Sequence, residues 1–158
     1  MKATPEQLIL QQIQALCRGH AQALRDALQD MALLALTPAQ YSQLSKADRR
    51  LLDQFAYRYT RLQDDMGTRL MPAVLKALGE DVAPMSAIDR FARLEQLGWL
   101  PSADAWATLR QIRNQFTHDD PDDVAERFDR LQAATVAAGQ LLSLMEQFDA
   151  RIIGLLPN

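Results

Sequence analysis

Apolar residues recur at three- and four-residue steps through several long stretches of this chain, with polar residues between them, the pattern of amphipathic helices sharing a core. The first stripe reads Ile9, Ile13, Leu16, His20, Leu24, Ala27, Met31 and Leu34. Thr4-Pro5-Glu6-Gln7 opens it with a cap, a first-turn proline and a glutamine able to close a capping box. Gly19 weakens this helix locally without shifting its phase. Thr37-Pro38-Ala39-Gln40 repeats the start signal, so the first helix breaks near Leu36 and a short turn carries Tyr41 and Leu44. Ser45-Lys46-Ala47-Asp48 starts a second long helix with Leu52, Phe55, Tyr59, Leu62, Met66 and Leu70 in register and Gly79 as its stop. Pro72 lies inside this span without an amide to continue the ladder, which predicts a kink or a break in the preceding turn.

Glu80 to Met85 reads as loop. Ser86-Ala87-Ile88-Asp89 then starts a short helix with Ile88, Phe91, Leu94 and Leu97, ended by Gly98. Trp99, Leu100 and Pro101 cross to Ser102, which caps a further helix marked by Trp106, Leu109, Ile112 and Phe116. Asp120 reads as the N-cap of the last helix, with Pro121 in its first turn and Asp123 favoured there by the helix dipole. That helix carries Val124, Phe128, Leu131, Ala138, Leu142, Met145 and Ile152 in a 4-3 rhythm. Small residues from Ala133 to Gly139 would let a neighbour approach closely. No stretch reads as a strand and no repeat appears. The expected fold is all-α: an up-and-down helical bundle of about four main helices with short connecting helices, one domain over residues 1–158.

A chain of 158 residues is long enough to bury a core without a staple. Its one cysteine, Cys17, excludes an internal disulfide and a cysteine-rich zinc site, and reads as a small core residue. No apolar run approaches the roughly 20 residues of a membrane span, and MKATPEQ lacks the apolar core of a signal peptide. A cytoplasmic protein that does not enter the membrane is therefore expected. The net charge of −3 argues against holding nucleic acid by bulk attraction, so any RNA must meet a local basic groove. A glycine-rich phosphate loop and a G-x-S-x-G turn are both missing, and two histidines without ligands at metal spacing make no metal site. No cofactor is expected. The run Asp119, Asp120, Asp122, Asp123 is explained more cheaply by the helix start than by Mg²⁺.

The chemistry concentrates in LRQIRNQFTHDDPDD, Leu109 to Asp123. Arg113 carries a permanent cation with a fork of donors suited to phosphate, and His118 titrates near neutral pH. Five residues of helix turn through roughly 500°, so the two share a face only if the helix gives out there. The structural alternative is that both offset the dipole at a helix C-terminus. On the second long helix, Arg58, Arg61, Asp65 and Arg69 fall at helical steps and read as a solvated face laced with ion pairs. His20 sits inside the first stripe, either as a core histidine or lining the same groove as His118. Tyr57 and Tyr59 fit a helix interface better than a base-stacking platform, and Trp99 and Trp106 read as core anchors.

Arg113-Asn114-Gln115-Phe116-Thr117-His118 resembles the R-x4-H signature of the HEPN superfamily, in which a polar residue, often Asn, follows the Arg. The segment Arg58 to Gly67 also resembles a stretch of some HEPN-like bacterial proteins, and would lie near the motif helix and add phosphate-binding cations. The resemblance implies a HepT-like, metal-independent RNA endonuclease, the toxin of a bacterial toxin-antitoxin pair. It implies a homodimer whose two copies bring Arg113 and His118 into one groove. His118 would then move a proton, Arg113 would stabilise the phosphorane, Asn114 would support them, and 2′,3′-cyclic phosphate ends would result. The partner it implies is a nucleotidyltransferase or another antitoxin protein. HEPN toxins paired with nucleotidyltransferases often continue the motif as R-x4-H-x-Y, and Asp120 stands at that tyrosine, which puts control by modification there in doubt. The alternative is a non-catalytic HEPN-like companion or antitoxin subunit that binds a nucleotidyltransferase or nucleotides. A third is a bundle that only binds proteins.

Overall fold

A computed structural model describes residues 2–118 and 122–157. Its elements are helices α1 (Pro5–Leu34), α2 (Pro38–Tyr41) and α3 (Lys46–Asp65), a π-helical turn (Met66–Leu70), then α4 (Met71–Ala77), α5 (Ala87–Gln96), α6 (Ala103–His118) and α7 (Val124–Leu155). Among the described residues there is no strand. Five of the start signals act as read. Thr4, Thr37 and Ser86 close capping boxes, Ser45 caps α3, and the Ser102 hydroxyl accepts from the Ala105 amide at 3.0 Å. Gly79 follows α4 at φ +85°, a conformation that side chains resist, and lets the Glu80 amide reach back to the Leu75 carbonyl at 3.0 Å.

Contacts between the long helices fix an up-and-down arrangement. Along α1 and α7, Gln7 reaches the Leu155 carbonyl, Gln14 and Arg18 reach Asp149, and Arg25 reaches Glu146, so the two run antiparallel. Along α3 and α6 the sense is again opposed: Phe55 and Tyr59 meet Phe116, while Asp64 meets Arg113. Arg130 of α7 donates to the Gln115 carbonyl, while the first turn of α6 shares a groove with Gln147. The core runs down the middle, with Tyr59, Phe55, Phe148 and Trp106 among its largest buried side chains. Trp99 packs on Phe148 and Trp106 on Phe91, so both tryptophans are core anchors. Arg151 holds the turn before α6 by donating to the Gly98 carbonyl. No helix among the described residues is long and apolar enough to cross a membrane.

Three expectations are corrected. The buried face of α1 carries Leu10, Gln14 and Cys17, while Ile9 and Leu16 are exposed, because α1 packs against α3 and α4 as well as α7. Gln14 is tolerated inside because its amide donates to Asp149 at 2.7 Å. Ile88, in the first turn of α5, faces solvent and leaves Phe91 and Leu94 to hold that helix. The last helix begins at Val124 with Asp123 as its cap, its carboxylate accepting from the Ala125 amide at 3.0 Å. Asp120 and Pro121, expected to start it, lie outside the described residues, as does Asp119. Cys17 is a core residue, and burial pushes its thiol up to about 12.

Candidate functional site at the end of helix α6

The position of α6 begins with Pro72. Its nitrogen cannot donate to the Thr68 carbonyl four residues back, and its ring would crowd that carbonyl in a regular helix. The chain answers with one widened turn, in which the Met71 amide donates to the Met66 carbonyl five residues back. The break expected near Pro72 is thus a π turn that keeps the helix going. Gly67 lies in this turn, and Trp106 of α6 packs directly on it. A Cβ at residue 67 would sit 3.1 Å from Trp106 Cζ2. The small residue lets α6 lie close, which sets Arg113 two turns further along against α3.

Arg113 is held from three sides. Its Nη2 donates to Asp64 Oδ2 at 2.6 Å, and its Nη1 donates to Thr117 Oγ1 at 2.7 Å and to His118 Nε2 at 3.1 Å. Thr117 in turn donates to the Arg113 carbonyl at 3.1 Å. Since a guanidinium can only donate, Nε2 of His118 is the accepting atom of this contact. Helix α6 runs through His118, yet the two side chains meet. The long arginine spans the angle that the helix puts between them, so the helix need not stop before His118. The Arg113 side chain is 15% exposed and that of Asp64 46%, so the ion pair lies at the surface and contributes at most about 1 kcal/mol. Below it, Phe116 packs edge-on against Phe55 and Tyr59, which stack on each other at 5.5 Å. Burial pushes the Tyr59 phenol up, with Arg113 opposing.

Beside Arg113 lies a cavity of about 90 Å³, walled by Gln63, Asp64, Gly67 and Thr68, by Ala87, Arg90 and Phe91 of α5, and by Arg110, Arg113 and Asn114 of α6. Asn114 is exposed at its rim. None of His20, Arg58, Arg61 and Asp65 lines it, so the groove residues expected on α1 and α3 gather elsewhere. Sequence reasoning missed Asp64, Thr117, Gln63, Arg90 and Arg110. Gln63 and Asp64 lie within the segment Arg58 to Gly67 and Arg110 and Thr117 within Leu109 to Asp123, so four of the five stood in stretches already singled out, without a role of their own.

His20, Arg58 and Asp65 form a second polar cluster, between α1 and α3. Arg58 Nη1 donates to His20 Nδ1 at 3.1 Å, so the proton of a neutral imidazole sits on Nε2, facing Asp65 Oδ2 at 3.4 Å. Asp65 also pairs with Arg69 at 3.6 Å. This carboxylate is 5% exposed, so the face expected to be solvated is partly interior. Arg58 and Arg61 lie over the exposed ring of Tyr57. Burial lowers the His20 pKa from its ordinary 6.5, Asp65 raises it, and Arg58 and Arg61 lower it. The unfolded chain therefore takes a proton that the folded chain refuses. Stability is full above pH 6.5 and falls as the pH drops through the window beneath. Urea unfolding across pH 7.5 to about 5 should show this fall, and His20→Gln should flatten it. An equal slope in the variant would show that His20 contributes nothing to it.

The class that fold and site define is an up-and-down helical bundle with a surface Arg–His pair at the end of one long helix. No group of ligands able to hold a metal ion occurs among the described residues. No family model matches the chain, and neither the curated proteins nor the solved structures contain a match to it.

Proposed function

We propose that this protein is a metal-independent RNA endonuclease of HEPN type. The observation that carries the reading is the direct 3.1 Å contact between Arg113 and His118 at the surface, with the guanidinium braced by Asp64 and Thr117. A phosphodiester oxygen entering this site takes the Nη1 donor and thereby frees Nε2 of His118. That lone pair is then available for the proton of the neighbouring 2′-hydroxyl. The 2′-oxygen bonds to phosphorus, the bond to the 5′-oxygen breaks, and Arg113 stabilises the charge of the phosphorane between them. The products are a 2′,3′-cyclic phosphate and a 5′-hydroxyl, so the substrate supplies the nucleophile. Asn114, at the cavity rim, is a further donor to the same phosphate.

The reading includes a homodimer in which two copies face their Arg–His pairs across a two-fold axis, with solvent protonating the leaving oxygen. It also makes the chain the toxin of a bacterial toxin-antitoxin pair, cytoplasmic, with a nucleotidyltransferase or another antitoxin protein as the partner that restrains it. Asp120, at the tyrosine of HEPN toxins, lies outside the described residues and favours restraint by binding. One observation favours the second reading, a non-catalytic companion subunit: Asp64 already occupies one edge of the guanidinium as a phosphate would. Incubating the purified chain with single-stranded RNA and EDTA separates the two. Cyclic phosphate ends support the nuclease. Intact RNA supports the companion.

A further inference from the structure

The cavity beside Arg113 gathers positive charge in a chain whose net charge is −3. Three guanidinium groups, Arg90, Arg110 and Arg113, share its wall with one carboxylate, Asp64. Among the described residues, Arg113 alone pairs with that carboxylate. Arg110 lies over the Phe91 ring at 5.3 Å and makes no ion pair among the described residues. Arg90 spends one Nη1 bond on the Met85 carbonyl at 3.2 Å, while its Nε and that of Arg113 are buried without a partner among the described residues.

The strongest sign of a ligand site is Gln63. It is 2% exposed, it lines this cavity, and neither its Nε2 nor its Oε1 has a partner among the described residues. A buried carboxamide left with both ends unpaired is costly, and a purely structural position would favour leucine. Several unpaired donors and an excess of cations around a small cavity match a phosphoryl group, whose oxygens accept from guanidinium and amide N–H together.

We propose that this cavity is a second phosphate subsite, which holds the RNA phosphate next to the one at Arg113 and His118. The role as RNA subsite rests on the nuclease reading. The anion chemistry of the cavity does not. Arg110 and Arg90 bind the backbone, and Gln63 donates from the inner wall. The subsite adds affinity without touching the reacting atoms, so it sets how the strand is registered on the Arg–His pair.

The test is binding of a 2′-O-methyl RNA oligomer, which lacks the nucleophile, to the full chain across a salt series. Arg110→Gln is expected to weaken binding about tenfold and to lower the slope of log affinity against log salt by about 0.7, one single-strand phosphate contact. Gln63→Leu is expected to weaken binding several-fold while its melting temperature holds or rises, an outcome a structural glutamine would not give. Wild-type affinity and slope in both variants would overturn the subsite, whether or not the protein cleaves RNA. Weakened binding in both, with no cleavage of ordinary RNA by the parent, keeps the subsite and removes the nuclease. Inorganic phosphate, titrated alone, distinguishes a free anion. If it saturates the cavity while both variants bind the oligomer as the parent does, the site serves phosphate itself and the proposal fails.

Discussion

Arg113→Ala is expected to lower RNA cleavage by roughly 10³-fold while leaving the melting temperature within about 3 °C of the parent. The two halves of this expectation come from different parts of the geometry. On the proposed nuclease reading, Arg113 offers its Nη groups to a phosphate that gains charge in the transition state, and such a donor acts most strongly where that charge appears. Its structural role is small. The Asp64 partner is 46% exposed and is solvated once the guanidinium is gone, so the lost pair costs at most about 1 kcal/mol. Arg113→Lys should rescue little, because a point charge cannot bond Asp64, Thr117 and a phosphate through one planar fork. His118→Ala should fall by roughly 10²–10⁴, the usual worth of a positioned proton acceptor. Initial rates on a single-stranded RNA, with thermal unfolding of each variant, measure both halves. Undiminished cleavage in Arg113→Ala would remove the arginine from the chemistry.

Trp106→Ala should produce the largest loss of stability. The indole is 1% exposed, packs on Phe91 at 5.9 Å and fills the space over Gly67. Emptying such a site costs about 3–5 kcal/mol, which for a chain of this size lowers the melting temperature by roughly 6–20 °C. The indole Nε1 has no partner among the described residues, so its removal offsets part of the cost and places the result toward the lower end. The effect should reach the site as well. Trp106 sets α6 against the π turn, so below its melting temperature the variant should bind RNA more weakly, Arg113 no longer being fixed over Asp64. Differential scanning calorimetry and oligomer binding at 15 °C check the two parts. A loss under about 2 °C would mean that the contact with Gly67 does not hold the helix.

The parts of this fold that are legible in the sequence are those whose physics is local. A serine or threonine cap acts within three residues, so Thr4, Thr37, Ser45 and Ser86 could be read off the chain and do cap their helices. Pro72 announces a defect for an equally local reason, since a missing amide is felt one turn back. The rotation of α1 was hidden because two different neighbours share its buried face, and a single stripe cannot describe two contacts. Asp64 was passed over for Asp65 because helical steps from Arg58 and Arg61 select residue 65. That residue faces α1 and His20, while its neighbour, about 100° around the helix, faces Arg113. The cavity as an assembly was illegible. Gln63, Arg90 and Arg110 come from three elements separated by loops, and only tertiary packing brings their polar ends to one wall.

The contact between Arg113 and His118 can be watched directly, because the chain has two histidines and the other is buried. The measurement is the imidazole ¹⁵N spectrum of the labelled protein while a 2′-O-methyl RNA oligomer is added. When a phosphate displaces the bond to Nε2, the His118 resonances should move and saturate with the oligomer, while those of His20, held by Arg58 and Asp65, stay in place. His118 resonances that do not move at saturating oligomer would contradict the account, because the phosphate would then be binding somewhere other than the end of α6.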